Sequence, residues 1–219
     1  MRNREKDAAE MAERRARLLE AGFRLFAARS IEAVTLTEIA AEAGVGIVTL
    51  YRYFKTKPDL VIELGTKKWA EYYAEVEKAY AARGGAKMDA AAEMDFFLDS
   101  IIELYRSHRD LLRFNRNFDA YVIHEECTAG QMRPYNEAVH VFARKFHTVY
   151  RKAKADGTLD TSIPERRLFV NTLYAFLSAA GRYAEGLLYP PDGPQDLTDE
   201  LLLLKRIFLG AIVRRPRPA

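Results

Sequence analysis

From Leu18 onward the apolar residues recur three and four positions apart, and no stretch shows the period-two alternation of a strand. The first stripe, Leu18, Leu19, Gly22, Phe23, Leu25 and Phe26, predicts a helix from about Glu13 to Arg29. After the loop Ser30–Val34, Thr35 is placed to cap a second helix carrying Leu36, Ile39, Ala40 and Ala43. Gly44, free to adopt positive φ, stops that helix. Val45 is expected as a buried plug, and a third helix opens near Gly46 or Ile47. There Leu50 and Phe54 fall on one inward face. Ile47, Val48, Thr49, Tyr51, Arg52 and Tyr53 are left on an outer or leading face. Two short helices joined by a glycine turn form a helix-turn-helix, whose second helix enters the DNA major groove.

Pro58 suits the first turn of a new helix running to about Ala82, on the order of 35 Å long at 1.5 Å per residue. Arg83-Gly84-Gly85 end it. Further helices are predicted over Ala90–Ser107, Asp110–Ile123 and from near Pro134 to Ala155. Ser162 is the expected N-cap of a helix over Pro164–Leu187, and Thr198 that of a last one over Asp199–Val213. The proline- and glycine-rich segment from Tyr189 to Asp196 reads as the loop between these two. The last helix is apolar around most of its girth, which requires cover on several sides.

Composition narrows the classes. Of 219 residues, 49% are hydrophobic and 30% charged, as in an ordinary globular protein. The formal net charge of +3 is too small to indicate nucleic acid, so that inference rests on placement. A single cysteine, Cys127, forbids an intramolecular disulfide and suits a reducing cytoplasm. The charged start M-R-N-R-E-K-D lacks the apolar core of a signal peptide, and no apolar run is long enough to cross a membrane.

The string A-x-x-A-G-V-G-x-x-T-L-Y-R-Y-F-x-T-K-P-D-L resembles the N-terminal domain of the TetR family of transcriptional regulators. The resemblance extends back through Phe26, Leu25, Phe23, Ala21, Leu19 and Leu18, and covers a quarter to a third of the chain. It implies an all-α protein: an N-terminal arm over 1–13, a three-helix DNA-binding head over 14–57, and a larger helical ligand-binding and dimerisation domain over 58–219. It also implies a homodimer joined by the last two helices, a double-stranded DNA operator and a small-molecule effector. No nucleophile–base pair or carboxylate dyad stands out, so neither enzymatic activity nor a cofactor is expected.

By the same resemblance, Thr37, Ile47, Val48, Arg52 and Tyr53 approach bases. Thr49, Tyr51 and Lys57 reach phosphates, and Thr35 and Gly46 complete the DNA-facing set. Gly46 stands where a hydroxyl cap is common in the family, and Val48 where a small residue is. Both departures bear on base preference. For the dimer the candidates are Phe176, Ala180, Tyr183, Leu204, Phe208 and Ala211, helped by the small residues Ala179 and Gly181.

The second part of the chain is rich in aromatics. Phe97, Tyr105, Phe114, Phe118 and Tyr121, with Tyr135, Phe142, Phe146 and Tyr174, are expected around a cavity for an apolar or aromatic ligand. Asn115, Asn117 and His140 are its expected polar groups. The chief alternative to a ligand-released repressor is an architectural, effector-independent DNA binder.

Chance motifs are set aside. His108-Arg109-Asp110-Leu111 with Asn115 fits a kinase catalytic loop, but no Gly-rich loop or D-F-G accompanies it. Gly44-Val45-Gly46 lacks the rest of a phosphate loop. His124-Glu125-Glu126 lacks the second histidine of a zinc helix, so no metal site is expected.

Overall fold

In the computed structural model, residues 4–186 and 196–214 are described, and they carry α-helices with no strand among the described residues. The order is α1 (Arg4–Ala28), α2 (Leu36–Glu42), α3 (Ile47–Tyr53), α4 (Lys57–Ala82) and α5 (Ala90–Ser107). Then follow α6 (Arg109–His124), α7 (Ala129–Asp156), α8 (Glu165–Ala184) and α9 (Thr198–Ile212). The all-α expectation and most helix spans hold. Arg2 and the loop residues 189–195 lie outside the described residues.

α7 begins at Ala129 rather than near Pro134, and α8 ends at Ala184 rather than Leu187. Three further departures from the pattern-based reading have a local reason. α1 begins at Arg4 rather than near Glu13, since Ala8, Ala9 and Ala12 are strong helix formers and Glu10 pairs with Arg14 one turn on, at 3.3 Å. Ser162 does not cap α8. Its N–H and hydroxyl both donate to Asp160, at 3.0 and 2.6 Å, and Pro164 occupies the N-cap position. Thr198 is the first residue of α9 rather than its cap, because Asp196 accepts from its N–H (3.1 Å) and its hydroxyl (2.9 Å).

The chain packs as two units. One runs to Lys68 and includes Arg113–Glu137; the other takes Trp69–Leu112 and the chain from Ala138 onward. In the first unit, Leu18, Phe26, Ile39, Leu50, Phe54 and Leu60 are buried around the three-helix head. Around Phe114 lies a run of rings: Phe23 at 6.0 Å, Phe118 at 5.6 Å, and Tyr135 stacked on Phe118 at 4.2 Å. Gly65 of α4 lies beneath them, where a Cβ would come within 3.1–3.3 Å of Tyr135, Phe114 and Phe118.

In the second unit α5 is the central element, packed against α8 and α9. Asp89 caps it by accepting from the Ala92 N–H at 2.7 Å. Two further N–H groups of its first turn donate to the α7–α8 turn: Ala90 to Asp156 (2.8 Å) and Ala91 to Thr158 (3.1 Å). With its N-terminus satisfied, α5 buries Met94, Phe97, Leu98, Ile101, Ile102, Leu104 and Tyr105.

Candidate nucleic-acid interface and ligand cavity

The head is assembled from local signals. Thr35 and Glu38 form a reciprocal capping box at the start of α2: the Thr35 N–H donates to Glu38 at 2.7 Å, and the Glu38 N–H to the Thr35 hydroxyl at 3.2 Å. Arg29 adds a 2.7 Å bond to Glu38. Together these hold the Glu38 carboxyl down at about 2, the arginine contributing most. Gly44 takes φ +66° after the Ala43 C-cap, and Gly46 caps α3 with extended backbone and no side-chain bond. Val45 is half-buried rather than fully enclosed.

α3 then divides its residues sharply. Leu50 and Phe54 are buried, as their spacing predicts. Val48 is 69% exposed and Tyr51 53%; Arg52 is exposed; Ile47, Thr49 and Tyr53 are half-exposed at the margins. Thr37 and Gly46 are exposed as well. Two candidates are committed elsewhere. The Thr35 hydroxyl belongs to the capping box. The half-buried Lys57 ammonium donates to the Glu32 carbonyl at 3.3 Å and sits 5.5 Å from the centre of the Tyr121 ring. Burial pushes its pKa down.

Arg15 is a residue the pattern did not single out. It reaches from α1 to the end of α3, with its guanidinium over the Phe54 ring and its Nε donating to Glu63 at 2.6 Å. Arg24, also on α1, ties to Glu42 of α2 at 2.9 Å.

An outward helix of this kind, presented by two short capped helices, is the geometry of major-groove recognition. Residues 18–64 match the family model of bacterial regulatory proteins of the tetR family. Over those residues the chain is similar to the TetR family. An HTH-type transcriptional regulator of Staphylococcus aureus is 30% identical over 104 residues, which are 46% of this chain and 52% of that relative. Another from the same species is 44% identical over 48 residues, 22% of this chain and 26% of the relative. The matched stretches therefore span about half, or less, of these curated relatives.

Among solved structures, a regulator from Saccharomonospora viridis in complex with choline aligns at TM-score 0.73 and 19% identity, over 93% of this chain and all of that one. The ketosteroid transcriptional regulator KstR2 of Mycobacterium tuberculosis aligns at TM-score 0.67 and 17% identity, over 92% and 96%. At such identities the likeness is one of fold.

The aromatic candidates separate into two groups. Phe114, Phe118, Tyr121 and Tyr135 belong to the first unit, where they fill the core between α1, α4, α6 and the start of α7. Their polar neighbour Asn115 accepts from the Tyr135 hydroxyl at 2.9 Å, and the Asn117 amide donates to the Arg113 carbonyl at 3.4 Å. Helical periodicity marks such residues as inward without saying into which core.

The second unit holds a cavity of about 230 Å³ between α4, α5 and α7. Phe97 and Phe142, two of the candidates, line it. Tyr73, Tyr80, Phe96 and Glu93 line it too, and sequence reasoning missed them. Their signal was present as the 73, 76, 77, 80 stripe of α4 and the 93, 96, 97, 100 stripe of α5. Phe146 packs on Phe97 and Phe169, at 5.8 and 5.1 Å, outside this wall. Tyr105 is fully buried, its hydroxyl accepting from the Leu197 N–H at 3.0 Å. Tyr174 is on the surface of α8, and His140 is exposed on α7.

Of the dimer candidates, Phe176 and Ala180 are fully buried within the subunit, Phe176 meeting Phe208 edge-on at 5.9 Å. Tyr183, Leu204 and Phe208 are half-exposed and Ala211 exposed. Alongside them Val170, Tyr174, Leu202, Leu203 and Ile207 present apolar surface, with Tyr174 67% and Ile207 62% exposed. Among the described residues no cluster of His, Cys, Asp or Glu could hold a metal ion, and no helix is long and apolar enough to cross a membrane.

Proposed function

We propose that the chain is a ligand-responsive transcriptional repressor that binds a pseudo-palindromic operator as a homodimer. The observation that carries this reading is the outward face of α3. Val48, Tyr51 and Arg52 stand exposed on a helix whose other side is locked into the head by Leu50 and Phe54. Val48 and Ile47 offer methyl groups to thymine, and Arg52 can take the O6 and N7 of a guanine. Tyr51 and Thr49 position the helix on phosphates.

The exposed apolar surface of α8 and α9 supports a dimer. Val170, Tyr174, Leu203 and Ile207 then become the outer layer over which a second copy packs, with Phe176 and Ala180 beneath them in each subunit. The cavity of the second unit supports an effector, and relatives in the same fold are described with choline and as a ketosteroid regulator. A ligand acts by its differential affinity for the DNA-binding and released states. A cytoplasmic protein with no catalytic role fits this reading.

Selection of bound duplexes from a random pool tests it. An enriched inverted repeat, with half-sites about one helical turn apart, is the expected result. A bound pool without consensus, weakened steeply by salt, would instead make the chain an architectural binder.

A further inference from the structure

We propose that the cavity of the second unit receives a small aryl- or alkyl-ammonium compound, with its apolar body against Tyr73, Phe96, Phe97 and Phe142 and its N–H groups donating to Glu93. This rests on the ligand-responsive reading above and names the chemistry of that ligand.

Glu93 is the decisive residue. It is 4% exposed, on the wall of a cavity whose aromatic and valine side chains are joined by Glu77, Arg144 and Lys145, the lysine paired with Glu77. The Tyr80 hydroxyl (2.8 Å) and the Lys152 ammonium both donate to its Oε1. Its Oε2 accepts no hydrogen bond among the described residues. A carboxylate oxygen left open on a cavity wall accepts from whatever donor enters the cavity. The complement is therefore an N–H or O–H group rather than a carboxylate, and a charged donor forms the stronger bond.

Two further features favour the cation. The rim already seats one in the arrangement a ligand would reproduce: the Lys145 ammonium is 4.8 Å from the centre of the Tyr80 ring and 2.8 Å from Glu77. The Tyr80 hydroxyl is also pushed up to about 12, by burial first and then by Glu93 and Glu77. The carboxylate field thus reaches the cavity wall. About 230 Å³ is below the span of drug-sized sites, so the ligand is small.

Three probes of matched size read the charge directly: phenethylammonium chloride, phenethyl alcohol and sodium hydrocinnamate, titrated into the full chain by calorimetry or ligand-observed NMR. Phenethylammonium is expected to bind about ten-fold or more tighter than either of the others. Glu93→Gln should bring it to the level of the alcohol without weakening hydrocinnamate. If that variant does not fold, the ranking of the three on the parent chain decides alone. Equal affinities, a preference for hydrocinnamate, or no saturable binding of phenethylammonium overturns the proposal. A protein that selects an operator yet prefers hydrocinnamate loses only this ligand class. One that binds phenethylammonium but selects no DNA loses the regulator reading instead.

Discussion

The guanidinium of Arg15 lies 4.8 Å from the centre of the Phe54 ring, over the buried residue that caps the C-terminus of α3. The same group holds Glu63 of α4 through two nitrogens and reaches the Tyr53 carbonyl at 3.5 Å. One side chain of α1 thereby fastens the C-terminal end of α3 to the start of α4. Hydrogen bonding to Glu63 is the chief reason its pKa is raised.

Replacing Arg15 by Ala should lower stability by about 1–2 kcal/mol, the sum of a partly exposed ion pair and a cation–π contact. DNA affinity should fall by a similar factor for every sequence, because α3 is loosened rather than altered on its reading face. Urea denaturation and gel shifts on two unrelated duplexes check both effects; an unchanged midpoint would show the fastening to be idle.

On the reading face itself, Tyr51→Ala and Arg52→Ala should act differently. Loss of a phosphate contact by Tyr51 weakens binding evenly across sequences, whereas loss of Arg52 costs about 1–3 kcal/mol at its own base position and relaxes preference there. Competition with a set of single-base operator variants separates the two. Parallel curves for both substitutions would refute that division.

The capping box makes the head sensitive to acid. Glu38 has its carboxyl lowered from 4.5 to about 2, by Arg29 first and then by the N–H and hydroxyl of Thr35. A depressed carboxyl contributes stability that is present above its unfolded value and lost as pH falls through the folded one. The loss should therefore occur between about pH 4.5 and 2. Asp160 is lowered from 3.8 to about 2 by Ser162 and Arg214, and adds to the same window. Melting temperatures across this range should fall in the parent chain and fall less steeply in Glu38→Gln. Separately, Thr35→Ala at neutral pH should cost about 1 kcal/mol.

Gly65 is a packing prediction. A Cβ there would press on three buried rings that brace one another, so none has room to move. Gly65→Val should destabilise by about 1–3 kcal/mol despite its better chain entropy, as overpacked cores do. A chemical melt at or above the parent midpoint would mean the ring stack yields.

The exposed face of α8 and α9 gives the last test. Ile207→Glu puts a charge on an apolar surface and should shift sedimentation toward the monomer, with a loss of operator affinity because one half-site must be held alone. A variant that still sediments as a dimer would place the contact elsewhere.

The helices, their stripes and the recognition element were determined by the sequence itself. Periodicity of 3.6, the Thr35–Glu38 box and the Gly44 turn are local properties, settled within a few residues of where they act. Leu50 and Phe54 inward with Val48 and Tyr51 outward follows from the same arithmetic. What required the tertiary structure was the choice of partner. Phe114, Phe118 and Tyr135 share the helical spacing of Phe97 and Phe142, yet the first three close on Gly65 and α1 while the latter two line a cavity. Glu93 reads as an ordinary first-turn acid until α4 and α7 enclose it, and Ser162 reads as a cap until Asp160 takes both its donors. Spacing along a helix fixes which way a side chain points; what it meets there depends on segments far away in the chain, and that is decided only when the helices pack.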